Sequence, residues 1–165
     1  MSWSQLRVLA VLALPLLAAG SAAGAVPATG STGPTLSATL EQCLTAPAQA
    51  DRSATFTGQM ETIAEAHRMA MQIVVQERTP GDTAFHTLDA PGLNVWQRSE
   101  TGVKIYKDVR QVTDLPAPAV FRALVLYRWL NERGRIVKSA ARRTAVCRQP
   151  AAAASGQPAP AATMH

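Results

Sequence analysis

Between residues 35 and 149 the chain alternates apolar and polar positions in short runs, with turn residues about every ten positions. The run over 53–60 is the cleanest. Ala54, Phe56, Gly58 and Met60 fall on one side of it, Thr55, Thr57 and Gln59 on the other. A period of two marks a strand with one buried face. The same reading gives a first strand over 36–44 and a third over 68–78 with Met69, Met71, Ile73 and Val75 inward. Short strands follow at 85–88 and 93–97, then one over 103–112 whose inward row begins with Val103 and Ile105. The strongest run is 120–130, where Phe121, Ala123, Val125, Tyr127 and Trp129 alternate with Arg122, Leu124, Leu126, Arg128 and Leu130. Its aromatic and β-branched content suits a central strand. Asn131-Glu132-Arg133-Gly134 then turns the chain into a last strand over 136–147. Helical periodicity is nowhere sustained, so the pattern predicts an all-β antiparallel sandwich of seven or eight strands.

The flanks change the picture by fixing a compartment. Arg7, an apolar run over 8–17 and small residues ending in Ala23-Gly24-Ala25 predict a signal peptide over 1–25, cleaved before Val26. Pro15 interrupts the apolar run, which falls short of the roughly 20 residues needed to span hydrocarbon. Residues 26–34 read as a flexible linker, 35–149 as the folded domain and 150–165 as an Ala/Pro-rich tail with too little apolar area to order itself. The expectation is a secreted or extracytoplasmic chain, free of the membrane after cleavage. In such a compartment Cys43 and Cys147 pair as one disulfide, clamping the first strand to the last. Closing 104 positions stabilises the fold by roughly 4–5 kcal/mol at most.

Short strands at this spacing describe an immunoglobulin-like or fibronectin-type sandwich. Leu115-Pro116-Ala117-Pro118 leading into Val120-Phe121 resembles the corner of such domains, with Phe121 where a tyrosine usually stands, so only its packing role carries over. Trp96 and Trp129 are candidate core tryptophans. The cysteines lie near the ends of the first and last strands rather than on the second and penultimate. In this topology those two strands run side by side, and a bond needs Cα atoms within about 7 Å. Over 121–150, Tyr127-Arg128-Trp129-Leu130, the Gly134 turn and Cys147-Arg148-Gln149-Pro150 resemble secreted actinobacterial domains of unknown function that often precede CARDB-type adhesion domains. The resemblance implies an accessory role and brings no active site with it.

Candidate chemistry adds little. Sixteen basic residues against eleven acidic give a formal charge of +5, which requires no polyanionic partner. Glu61, Glu65 and His67 form the nearest metal-like cluster, and with His86 they read as solvated loop polarity. No Gly-x-Ser-x-Gly elbow and no paired carboxylates occur, and Ser53, Ser99 and Ser139 read as strand or turn residues. No catalytic, cofactor or metal residue is assigned, and no enzyme is expected.

One asymmetry remains. From Arg122 to Arg148 seven arginines and Lys138 face Glu132 alone. Two readings of this region follow. With Phe121, Val125 and Trp129 inward, Leu124, Leu126 and Leu130 face outward beside Arg122 and Arg128, with Val74 next to them, as a surface for an extracellular protein partner. A loop or the linker covering that face is the competing account. In the second reading Arg122, Arg128, Arg142 and Arg143 hold an anionic cell-envelope polymer, against the plainer account of solvated arginines whose stems cover apolar surface. Nucleic acid is not expected, since no aromatic stacking row accompanies the charges. A monomer is expected.

Overall fold

The computed structural model describes residues 35–151. The expected signal peptide, the linker and all of the tail beyond Pro150 and Ala151 lie outside the described residues.

Nine strands form two antiparallel sheets. One sheet orders β1 (Leu36–Leu44), β2 (Ser53–Glu61) and β6 (Ile105–Thr113) as β1–β2–β6. The other orders β4 (His86–Thr87), β3 (Arg68–Arg78), β7 (Ala119–Leu130) and β8 (Ile136–Arg143) as β4–β3–β7–β8. On this second sheet β5 (Gln97–Arg98) also pairs with β3, and β9 (Cys147–Gln149) with β7. This is the strand order of an immunoglobulin-like sandwich, with the first two strands in one sheet and the last long pair beside the third strand in the other.

The period-two rows become the core. Phe56 and Met60 of β2, Met71, Ile73 and Val75 of β3, and Phe121, Val125, Tyr127 and Trp129 of β7 are buried between the sheets. Gly58 keeps the sheets close. A Cβ there would collide with the Met71 sulfur and lie 2.8 Å from Val125 Cγ1.

Side chains from the second sheet also tie it to the backbone of the first. Tyr127 Oη donates to the Ser37 carbonyl at 2.5 Å and Trp129 Nε1 to the Glu61 carbonyl at 2.8 Å. At the opposite pole Gln149 Nε2 donates to the Leu44 carbonyl at 2.9 Å. There the buried Arg52 guanidinium donates to the carbonyls of Ala46 and Pro47 at 2.7 and 2.6 Å. It knits the 45–52 turn without a carboxylate partner. Leu115 and Phe121 are buried at the resembled corner.

The disulfide joins Cys43 of β1 to Cys147 of β9, with Cα atoms 5.4 Å apart. Two bulges make it reachable. On β1, Leu36, Ala38 and Leu40 oppose the inward residues Met60, Gly58 and Phe56, so plain alternation would turn Cys43 outward. The register shifts between Leu40 and Gln42, and Cys43 then opposes the buried Ala54. On the last strand, Arg143 opposes Leu124 and Cys147 opposes Phe121, so four steps of chain match three. Thr144 fills the break. Its N–H donates to the Ala123 carbonyl at 3.0 Å and its hydroxyl oxygen accepts from Ala123 N–H at 2.9 Å. A slip of one residue turns a side chain to the other face, and here it delivers both sulfurs to the interior. The same break divides the expected last strand into β8 and β9, which raises the strand number to nine.

The row expected on β6 is corrected. Ile105 is 55% exposed, and the inward residues are Tyr106, Asp108, Arg110 and Val112, opposite Met60, Gly58, Phe56 and Ala54. Val103 packs against the core from the loop before the strand. The phase was hidden because the inward row carries two charges. Asp108 and Arg110 pair at 3.1 Å, and Arg110 Nη1 donates to the Val109 carbonyl at 3.0 Å. Burial raises the Asp108 pKa above the ordinary aspartate value, opposed by Arg110 and by the Val109 N–H.

Candidate functional site

The outer face of β3, β7 and β8 gathers the arginines. Its rows, read from the strand register, run Arg78–Val120, Gln76–Arg122, Val74–Leu124–Arg143, Gln72–Leu126–Ala141 and Ala70–Arg128–Ser139. Arg148 of β9 extends the first row beside Val120. The opposite outer face, on β1–β2–β6, is built of Ser37, Thr39, Thr55, Thr57 and Gln59 with the exposed Ile105 and Val109, and Lys107 is its one strand cation among the described residues. Lys107 is paired to the bulge residue Glu41 at 3.5 Å. The two faces therefore differ in kind.

The expected surface residues divide accordingly: Leu130, expected outward with Leu124 and Leu126, is buried, next to the shift in the β7–β8 register between Trp129 and Leu130. Arg122, Leu124, Leu126 and Arg128 share the outer face of β7, each partly buried, with Val74 beside Leu124. Arg143 joins them from β8. Arg142 does not: it opposes the inward Val125, and its charge works against the burial that raises the pKa of the Tyr127 phenol. Neighbouring residues of a strand point to opposite faces, so the Arg142-Arg143 doublet cannot act as one patch.

Segment 83–98 folds against one flank of this face, as the competing account of a covering loop expects. The Phe85 ring lies 3.8 Å from the Arg122 guanidinium carbon and 5.0 Å from that of Arg78. The Trp96 ring lies 3.8 Å from the guanidinium carbon of Arg128. Trp96 is thus a surface tryptophan stacked on an arginine, and only Trp129 belongs to the core. Gln72 Nε2 donates to the Asn94 carbonyl and Asn94 Nδ2 to the Leu88 carbonyl at 2.9 Å, which fixes the segment in place. Leu124 and Leu126 keep part of their surface open. Beside them a shallow hollow of about 340 Å³ lies between Trp96, Leu126, Ile136 and Ala141.

Electrostatically the face is unbalanced. Among the described residues the ion pairs are His86–Asp82, Lys107–Glu41 and Arg110–Asp108, so none of the arginines on this face has a carboxylate partner. Arg122 Nε donates to Gln76 Oε1 at 2.9 Å, a neutral acceptor. Burial first, and then the charges of Arg143 and Arg78, lower the Arg122 pKa from its ordinary value.

The histidine readings stay separate from this face. His67 is exposed at the start of β3, its N–H donating to the Leu130 carbonyl at 2.8 Å. His86 lies 3.8 Å from Asp82 in the open. Glu61 Oε2 accepts from the Thr35 N–H at 3.4 Å. Among the described residues no three His, Cys, Asp or Glu side chains converge as metal ligands.

The pattern of alternation exposed the face itself. It missed Arg78 and Arg148, because their strand ends come together only through the β7 pairings, and it missed the two aromatic rings that stack on the arginines. No family model, curated protein or solved structure matches the chain.

Proposed function

We propose that the protein is an extracytoplasmic, non-catalytic binding module of the accessory or adhesion kind, which holds a protein partner on the outer face of β3, β7 and β8. One observation carries this reading: Arg122, Arg128 and Arg143 share that face with Leu124 and Leu126, two of the arginines are stacked on aromatic rings, and none has a carboxylate partner among the described residues. Aromatic and arginine side chains are enriched at protein interfaces, which supports this face over the others. The disulfide supports the compartment, since oxidising surroundings preserve such bonds. Among the described residues no helix is long and apolar enough to cross a membrane.

The test is capture from an envelope extract by the disulfide-bonded protein, with Leu126→Asp and, on the opposite sheet, Ile105→Asp as control. A protein retained by wild type and the control but lost with Leu126→Asp is the expected result. Retention of a wall polymer instead, lost steeply as salt is raised and indifferent to Leu126→Asp, would replace this reading with the anionic-polymer one.

A further inference from the structure

At one end of the arginine face the surface sinks into a cup of about 440 Å³, where the ends of β3 and β9 meet the start of β7. Its walls include Pro118, Val120 and Pro150, and Arg78 and Arg148 line it from β3 and β9. The volume lies in the range of small-ligand sites, and such sites combine apolar walls with a few placed polar groups.

The charges around it are not spent internally. The Arg78 guanidinium packs against the Phe85 ring at 5.0 Å, and neither Arg78 nor Arg148 has an ion-pair partner among the described residues. The acid lining the cup, Asp82, is committed to its own turn. Its Oδ2 accepts from the Thr79 N–H at 2.8 Å and from the Thr79 hydroxyl at 2.6 Å. These bonds, chiefly, hold its carboxyl below the usual aspartate pKa. Two guanidiniums therefore flank an apolar hollow with free donors, and guanidinium matches a carboxylate with two parallel bonds.

We propose that this cup is the anchor point of the binding face and takes an apolar residue bearing a free carboxylate, as at the C-terminus of a partner polypeptide. The proposal rests on the reading that this face is the binding surface, and it names the chemistry of one contact. In a C-terminal residue the carboxylate and the apolar side chain leave the same carbon. The anion then meets Arg78 and Arg148 while the side chain lies against Pro118, Val120 and Pro150. A bare anion would use the arginines and leave the apolar walls wet.

The probes are N-acetyl-leucine and N-acetyl-phenylalanine, with N-acetyl-leucinamide and inorganic phosphate as controls, titrated into the disulfide-bonded protein and followed by amide NMR shifts. Saturable shifts at Ala119, Val120, Arg148 and Gln149 are expected with the acids, and none with the amide. Arg148→Ser should weaken the acids about tenfold, the equivalent of one charge-assisted hydrogen bond. Arg148 is exposed, so the variant keeps its fold. Equal binding of the amide, equal binding of phosphate, or shifts confined to other residues would each overturn the proposal. Leu126→Asp separates it from the broader reading. If that variant loses partner capture while the acids never bind, the cup fails and the face stands. If the acids bind and capture is untouched by Leu126→Asp, the face fails and the cup stands as a small-carboxylate site.

Discussion

Tyr127 sends its phenol from β7 through the interior to the Ser37 carbonyl of β1, so one hydroxyl spans both sheets. Burial pushes its pKa up to about 12 from an ordinary 10.0, although Arg142 pulls it down. An acid whose folded pKa lies above its unfolded one favours folding while protonated. The contribution is whole below the unfolded value and is lost as pH climbs from there through the folded value, here across pH 10.0 to about 12. Melting temperature should therefore fall over that window in wild type. Tyr127→Phe should melt lower at neutral pH, by the equivalent of about 1 kcal/mol for the lost bond, and fall less steeply in alkali. Equal alkaline slopes in the two proteins would show that the phenol is not the titrating group. Alternation was enough to place Tyr127 inward. It could not supply Ser37 as the acceptor, which stands 90 positions earlier and meets Tyr127 only when the sheets close.

At the level of strands, the positions of most strands follow from turn residues and period, whereas the pairing of distant strands (β2 with β6, β3 with β7) and local departures from period do not. Residues 36–44 read as one straight strand because the extra residue falls in the polar stretch Glu41-Gln42, where nothing apolar is misplaced. The break at Thr144 is silent for the same reason, since threonine, alanine and valine all suit a strand. On β6 the inward charges made the wrong row look apolar, and their position at the sheet edge explains them. Thr62 N–H donates to the Lys104 carbonyl at 2.8 Å, and counting on by twos leaves the backbone groups of Ile105, Lys107, Val109, Gln111 and Thr113 turned to the open edge. Asp108 and Arg110 close over the middle of that edge, with Arg110 occupying the Val109 carbonyl. Inward-pointing charge on an edge strand discourages pairing with another chain. The double variant Asp108→Val/Arg110→Val should therefore self-associate with rising concentration in light scattering, with Ile105 and Val109 already exposed beside the edge. A monomeric double variant across that range would mean that some other feature guards β6.

Across the whole molecule the two poles of the sandwich are held by different means, which decides what the disulfide is for. Tyr127 and Trp129 fasten one pole through hydrogen bonds to Ser37 and Glu61. The other relies on Cys43–Cys147, the Gln149 bond to Leu44 and the Arg52 knot, with a bulge on each cysteine strand. This is also the pole that carries Arg148 and the cup, so the bond that closes the fold also sets the end of the arginine face. Reduction removes the 104-position closure, and the entropy model's upper figure corresponds to a melting temperature lower by on the order of 10–20 °C. Because the core and the far pole keep their own ties, the loosening should be local before it is global. Hydrogen exchange in the reduced protein should quicken most at residues 42–44 and 147–149, beyond the smaller loss of protection that lower global stability brings to Tyr127 and Trp129. The acetyl amino acids should bind the reduced form more weakly, since Arg148 loses its fixed place beside Val120. Uniform loss of protection along β7 would mean that the sulfur bridge holds the entire sandwich. An unchanged melt after verified reduction would mean that the hydrogen bonds alone suffice at both poles.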